Sequence, residues 1–129
     1  MQRSALVVSL LALAFSSPVH AACSAGVENC GPSIDDARAK IEQLLGTAYL
    51  TPPKIISVEK LDGRSLEMQT GNLYEMRIFA VTTYTGDKLQ CRTTLCPQLS
   101  NYLVKVDQAA KKATIAGWLF FKQAAGSWR

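Results

Sequence analysis

The chain carries one histidine in 129 residues, His20, and it lies in a segment whose pattern marks it for removal. Met1-Gln2-Arg3 is a short basic start, Ala5 to Phe15 an apolar run, Ser16-Ser17-Pro18 a break, and Val19-His20-Ala21 a small-residue cleavage site, the order of a secretory signal. Residues 1–21 are therefore expected to be a signal peptide and residues 22–129 a single exported domain, periplasmic or secreted. Without His20 the exported chain has no imidazole base, ligand or pH switch. Long hydrophobic runs are missing too. The Ala5–Phe15 run spans 11 residues, short of the roughly 20 needed to cross a bilayer as a helix, so no transmembrane segment is expected in the mature chain.

A serine or cysteine nucleophile activated by histidine is excluded in such a chain. There is no phosphate-binding glycine loop and no cluster with metal-ligand spacing, so no catalytic residue, metal or cofactor is expected. Two carboxylates suffice for glycoside hydrolysis. Asp35 and Asp36, however, stand where a helix start favours acid, and Glu67 and Glu75 read as surface charges on either side of a hairpin. Basic and aromatic residues do not alternate on one platform, which argues against nucleic acid.

Acidic residues are nearly missing from the last third of the chain. Lys88–Arg129 holds seven Lys or Arg and only Asp107, a net of +6, whereas Ala22–Asp87 holds six basic and nine acidic residues, a net of −3. If the C-terminal strands share a face, that face is basic and suits an acidic protein, an anionic glycan or a headgroup. The alternative is that the lysines solubilise edges and turns, a reading that fits Lys111 and Lys112.

Four cysteines, Cys23, Cys30, Cys91 and Cys96, lie in the mature chain. An even count in an oxidising compartment reads as two disulfides with three pairings open. The short intervals favour Cys23 with Cys30 and Cys91 with Cys96, which would stiffen two local loops. A cysteine just after Ala21-Ala22 also leaves open a lipid-anchored form attached at Cys23, although His20 stands where such signals carry an aliphatic residue.

The mature chain predicts one helix followed by strands. Ser33 with Asp36 forms an acidic capping box behind Pro32, and Ile34, Ala37, Ile41, Leu44 and Leu45 recur at helical spacing up to a stop at Gly46. Lys54–Leu61 and Leu66–Thr70 read as a hairpin turning at Asp62-Gly63-Arg64-Ser65, and Gly71-Asn72 supplies the next reversal. Leu73–Thr85 is the longest strand, with Tyr74, Met76, Ile78, Ala80, Thr82 and Tyr84 on one face and Phe79 and Val81 on a second covered face. Tyr102–Val106 and Ala113–Lys122 follow, the latter ending in a core block, Trp118-Leu119-Phe120-Phe121. Helix first and strands after predict an α+β fold: one N-terminal helix packed on a curled antiparallel sheet of four to five strands.

Gly71-Asn72-Leu73-Tyr74 opening a long strand, with the Cys91/Cys96 pair after it, resembles the cystatin fold across residues 33–121. The resemblance implies a cystatin-like domain that binds a protein. Of the family's inhibitory Gln-x-Val-x-Gly hairpin, Glu67-Met68-Gln69-Thr70-Gly71 keeps only the glycine. Cys91-Arg92-Thr93-Thr94-Leu95-Cys96 is similar in spacing to the disulfide-closed loop with which Ivy-type periplasmic lysozyme inhibitors enter an enzyme cleft, a similarity that extends to residue 121.

These readings predict a non-enzymatic, exported protein-binding domain, preferred as an inhibitor or neutraliser of an envelope hydrolase. The alternative is an accessory or structural subunit of an envelope or secretion assembly that docks by strand addition at an open sheet edge. The expected binding residues are Arg92, Thr93, Thr94 and Leu95, with the hairpin tip Gly71-Asn72. Arg92 would offer a planar five-donor head and Leu95 an apolar anchor. Intact-mass analysis of the exported protein should show a chain starting at Ala22, about 4 Da below its reduced mass if both disulfides form. A diacylglyceryl adduct at Cys23 would establish the anchored form instead.

Overall fold

The computed structural model describes residues 31–69, 71–124 and 126–129. One helix, α1 (Ile34–Ala48), is packed on an antiparallel sheet of five strands that does not close into a barrel. The fold is α+β. The strands are β1 (Lys54–Met68), β2 (Gly71–Thr83), β3 (Leu103–Asp107), β4 (Lys112–Ala124) and β5 (Ser127–Trp128), in the spatial order β1-β2-β4-β3 with β5 also on β4. A 3-10 turn, Pro97–Leu99, precedes β3. The signal segment, Cys23 and Cys30 lie outside the described residues.

The start of α1 follows from its capping box: the Asp36 amide donates to Ser33 Oγ at 3.0 Å and the Ser33 amide to Asp36 Oδ2 at 2.9 Å. Two of the first turn's orphan donors are thereby satisfied, and Asp35 and Asp36 suit the positive end of the helix dipole. Ala37, Ile41, Leu45 and Ala48 form the buried stripe. It packs on alternate residues of the two central strands, Met76, Ile78, Ala80, Ile115, Leu119 and Phe121 among them. Each fully buried Ile or Leu there is worth about 1.5–3 kcal/mol. Ile34, expected in the stripe, is 39% exposed on the first turn.

Three expectations are corrected by the sheet. Asp62-Gly63-Arg64-Ser65 is not a turn but the middle of the 15-residue strand β1, paired with Arg77, Met76, Glu75 and Tyr74. Register shifts at Ile56 and Leu61 accommodate the irregularity. Gly63 is there for space: a Cβ would stand 2.3 Å from Tyr74 Oη, the hydroxyl to which Lys60 Nζ donates at 2.8 Å. Secondly, Met68 pairs with Gly71, so the reversal falls before Gly71 and Gly71-Asn72 opens β2. Thirdly, the apolar block on β4 is split by strand alternation. Leu119 and Phe121 are buried under α1, whereas Trp118 is half-buried and Phe120 is 59% exposed on the opposite face.

The inward set is as the alternation predicts: Tyr74, Met76, Ile78, Ala80 and Thr82 on β2, and Tyr84 just beyond its end, are all buried. Thr82 satisfies its hydroxyl on the Ala113 carbonyl at 2.9 Å. Phe79 and Val81 are only half-buried, since the sheet's second face carries no covering layer among the described residues. Lys112 belongs to β4, while Lys111 makes the turn at φ 55°. β5, not expected from sequence, returns Trp128 edge-on to Tyr74 at 5.9 Å between centroids.

Tyr84 is buried, yet its hydroxyl has no hydrogen-bond partner among the described residues. Tyr84→Phe should therefore keep stability or raise it by up to about 1 kcal/mol in urea denaturation, because a desolvated orphan hydroxyl is removed. Gly117 lies beneath Tyr102, whose Cδ1 would be 2.6 Å from an added Cβ. Gly117→Ala should cost about 1–3 kcal/mol by overpacking.

Candidate functional site

The last turn of α1 contains no basic residue, and its carbonyls are met instead by the cysteine loop some 45 residues on. Tyr49 and Cys91 form an isolated antiparallel bridge flanked by Arg92 N–H to the Ala48 carbonyl at 2.8 Å and Leu50 N–H to the Gln90 carbonyl at 3.0 Å. Arg92 Nε donates to the Gly46 carbonyl at 3.0 Å, and Gln98 Nε2 to the Thr47 carbonyl at 3.2 Å. This is why the helix does not stop at Gly46: its final carbonyls have tertiary partners. Burial pushes the Tyr49 hydroxyl above its ordinary pKa of 10.0.

Cys91 and Cys96 are joined by a disulfide, with Cα atoms 5.1 Å apart. The loop between them holds Arg92, Thr93, Thr94 and Leu95 together, all exposed. Arg92 is less free than the sequence suggests, since its backbone and its Nε both hold α1. Leu95 is the protruding residue. It is 89% exposed and takes φ 67°, a left-handed conformation that costs a non-glycine residue about 1–2 kcal/mol. Cys96 follows at φ 45° and turns the chain into Pro97–Leu99, which packs against α1. Strain of this kind persists only where the surroundings enforce it, and here the disulfide and the helix contacts do so.

Gly71 and Asn72 are not brought to this loop. They sit at the β1–β2 hairpin, toward the Tyr74 end of the sheet that also meets the residues just before α1, whereas the cysteine loop is held at the C-terminal end of α1. Asn72 is moreover engaged, its Nδ2 donating to Gln123 Oε1 at 2.9 Å. Among the described residues no three His, Cys, Asp or Glu side chains group as a metal site would require, and no helix is long and apolar enough to cross a membrane.

A second feature was missed from sequence. Lys40, Gln43, Leu44 and Thr47 run as an i, i+3, i+4, i+7 stripe beside the buried stripe of α1, and with Tyr102 and Leu119 they line a groove of about 250 Å³. The stripe was legible in the spacing; its opposite wall, Tyr102 seated over Gly117, was not. Burial also raises the Tyr102 hydroxyl above 10.0. No family model, curated protein or solved structure matches the chain.

The two exposed ends of the loop are separable by mutation. Arg92→Ala should lower unfolding stability by about 1 kcal/mol, because it strips a carbonyl partner from the end of α1. Leu95→Gly should not lower it, since glycine relieves the left-handed strain. Urea denaturation of the two variants beside the parent checks both.

Proposed function

We propose that the protein is an exported, non-enzymatic protein-binding domain whose disulfide-closed loop, Arg92–Leu95, enters a cleft of an envelope hydrolase and inhibits it. The observation that carries this reading is Leu95: a large apolar side chain, 89% exposed and held in a left-handed backbone conformation by a disulfide on one side and helix contacts on the other. A loop held in this way loses little conformational entropy on binding, and burying an exposed leucine side chain in a concave site is worth about 1.5–3 kcal/mol. Export rests on the N-terminal signal pattern, and the closed cysteine pair is compatible with an oxidising compartment. The cystatin-like and Ivy-like resemblances point in the same direction and belong to this proposal.

The protein immobilised on resin should retain a partner from periplasmic extract, and Leu95→Asp should weaken that capture by more than tenfold without changing the melting temperature. Stoichiometric addition of the protein should lower the partner's hydrolytic activity, lysozyme-type peptidoglycan cleavage being the first assay. Undiminished capture by folded Leu95→Asp overturns the loop as the interface. Loop-dependent capture of a non-enzymatic partner supports the accessory-subunit reading in place of inhibition.

A further inference from the structure

Among the described residues, β4 is flanked on one side by β2 along almost its whole length, but on the other side only at its two ends. β3 covers Lys112–Ala116, and β5 with Arg129 covers Lys122–Ala124. Gly117 between them lies under Tyr102, which leaves a gap at Trp118–Phe121. Lys122 exchanges both backbone bonds with Arg129, at 2.7 and 2.9 Å. In an antiparallel ladder the residues that face one neighbour alternate, and the β2–β4 register runs without a shift, so Phe120 and Trp118 also direct their amides and carbonyls away from β2. These four backbone groups have no partner strand among the described residues.

We propose that this gap is a docking site for an acidic extended segment of a partner protein, added as a short strand antiparallel to β4 between β5 and β3. The site has distinct faces. The residue opposite Leu119 would point toward α1 into the groove of Lys40, Leu44 and Tyr102, which suits one apolar side chain. The residue opposite Phe121 meets Lys40, whose ammonium lies 5.2 Å from the Phe121 ring centroid. On the outer face, Arg77 pairs with Trp118 across the sheet, and Lys122 and Arg129 stand at the next outward position beyond Phe120. The Glu75 side chain, opposite Phe120 on this rim, is already held by Arg64. The occupant is therefore negative at the alternate positions that meet these cations.

Two alternatives fit less well. β1 is interrupted by shifts at Ile56 and Leu61 and carries mixed charge, features that blunt strand pairing. A second copy of this chain would bring the same cations face to face across the gap.

The test uses the ¹⁵N-labelled protein and the capped peptide acetyl-Glu-Glu-Leu-Glu-Thr-amide. Saturable shift changes should centre on Trp118–Lys122, Lys40 and Leu44, and exchange of the Trp118 and Phe120 amides should slow at least fivefold. The Lys-Lys-Leu-Lys-Thr analogue, the same acidic peptide methylated on the backbone nitrogen of its second or fourth residue, and the variants Lys40→Glu and Lys122→Glu should each bind at least fivefold more weakly. Leu95→Asp should bind the peptide like the parent, which separates this site from the loop. Equal affinity for acidic and basic peptides, shifts centred on β1 or Leu95, no saturable shift at millimolar peptide, or protection of the two amides by self-association overturns the proposal.

Discussion

The end of α1 is the constraint on which the rest of the structure depends. Helix carbonyls near a buried terminus need partners, and this helix has no basic side chain of its own in the last turn to provide them. The chain satisfies them from the far side of β2, through Arg92 and Gln98 and the Tyr49–Cys91 bridge. One set of hydrogen bonds thereby holds the helix over the sheet, fixes where the cysteine loop leaves the core, and forces Leu95 outward. The disulfide acts on a loop whose base is already tied to α1, so it sets the shape of the loop more than the stability of the fold.

Among the described residues the sheet carries a single helix, and that asymmetry explains its surfaces. α1 covers the face bearing Met76, Ile78, Ile115 and Leu119, while the opposite face retains half-buried Phe79 and Trp118 and exposed Phe120 and Leu103. Lys105, Lys112 and Lys122 share that outer face by register. The basic bias of the C-terminal third is therefore spatial as well as sequential. Glycine is used where an aromatic ring must approach the backbone, with Tyr74 over Gly63 and Tyr102 over Gly117. These contacts keep each ring in place and leave the adjoining groove open.

The capping box, the amphipathic stripe of α1 and the alternating inward residues from Tyr74 to Tyr84 were legible because each depends on a local period or a contact three residues away. The β4 block was legible as core only in part: four consecutive apolar residues say nothing about which two face the helix until a register is chosen. Turn chemistry misled at Asp62-Gly63, where the glycine answers a tertiary contact with Tyr74 that no neighbouring residue announces. Gly46 misled for the same reason, its stop signal being overridden by Arg92.

Of the candidate site, the sequence by itself determined the polar, exposed composition of the loop and favoured its local closure by Cys91 and Cys96, while three pairings stayed open until the structure joined that pair. It also determined the α+β class, through the order of its periodicities. Only the tertiary structure decided that Arg92 is spent on α1, that Gly71-Asn72 lies away from the loop, and that β4 has a stretch between β3 and β5 with no partner strand among the described residues. Those outcomes depend on which backbone groups find partners across tens of residues, and hydrogen-bond satisfaction is a property of the assembled fold that no local pattern encodes.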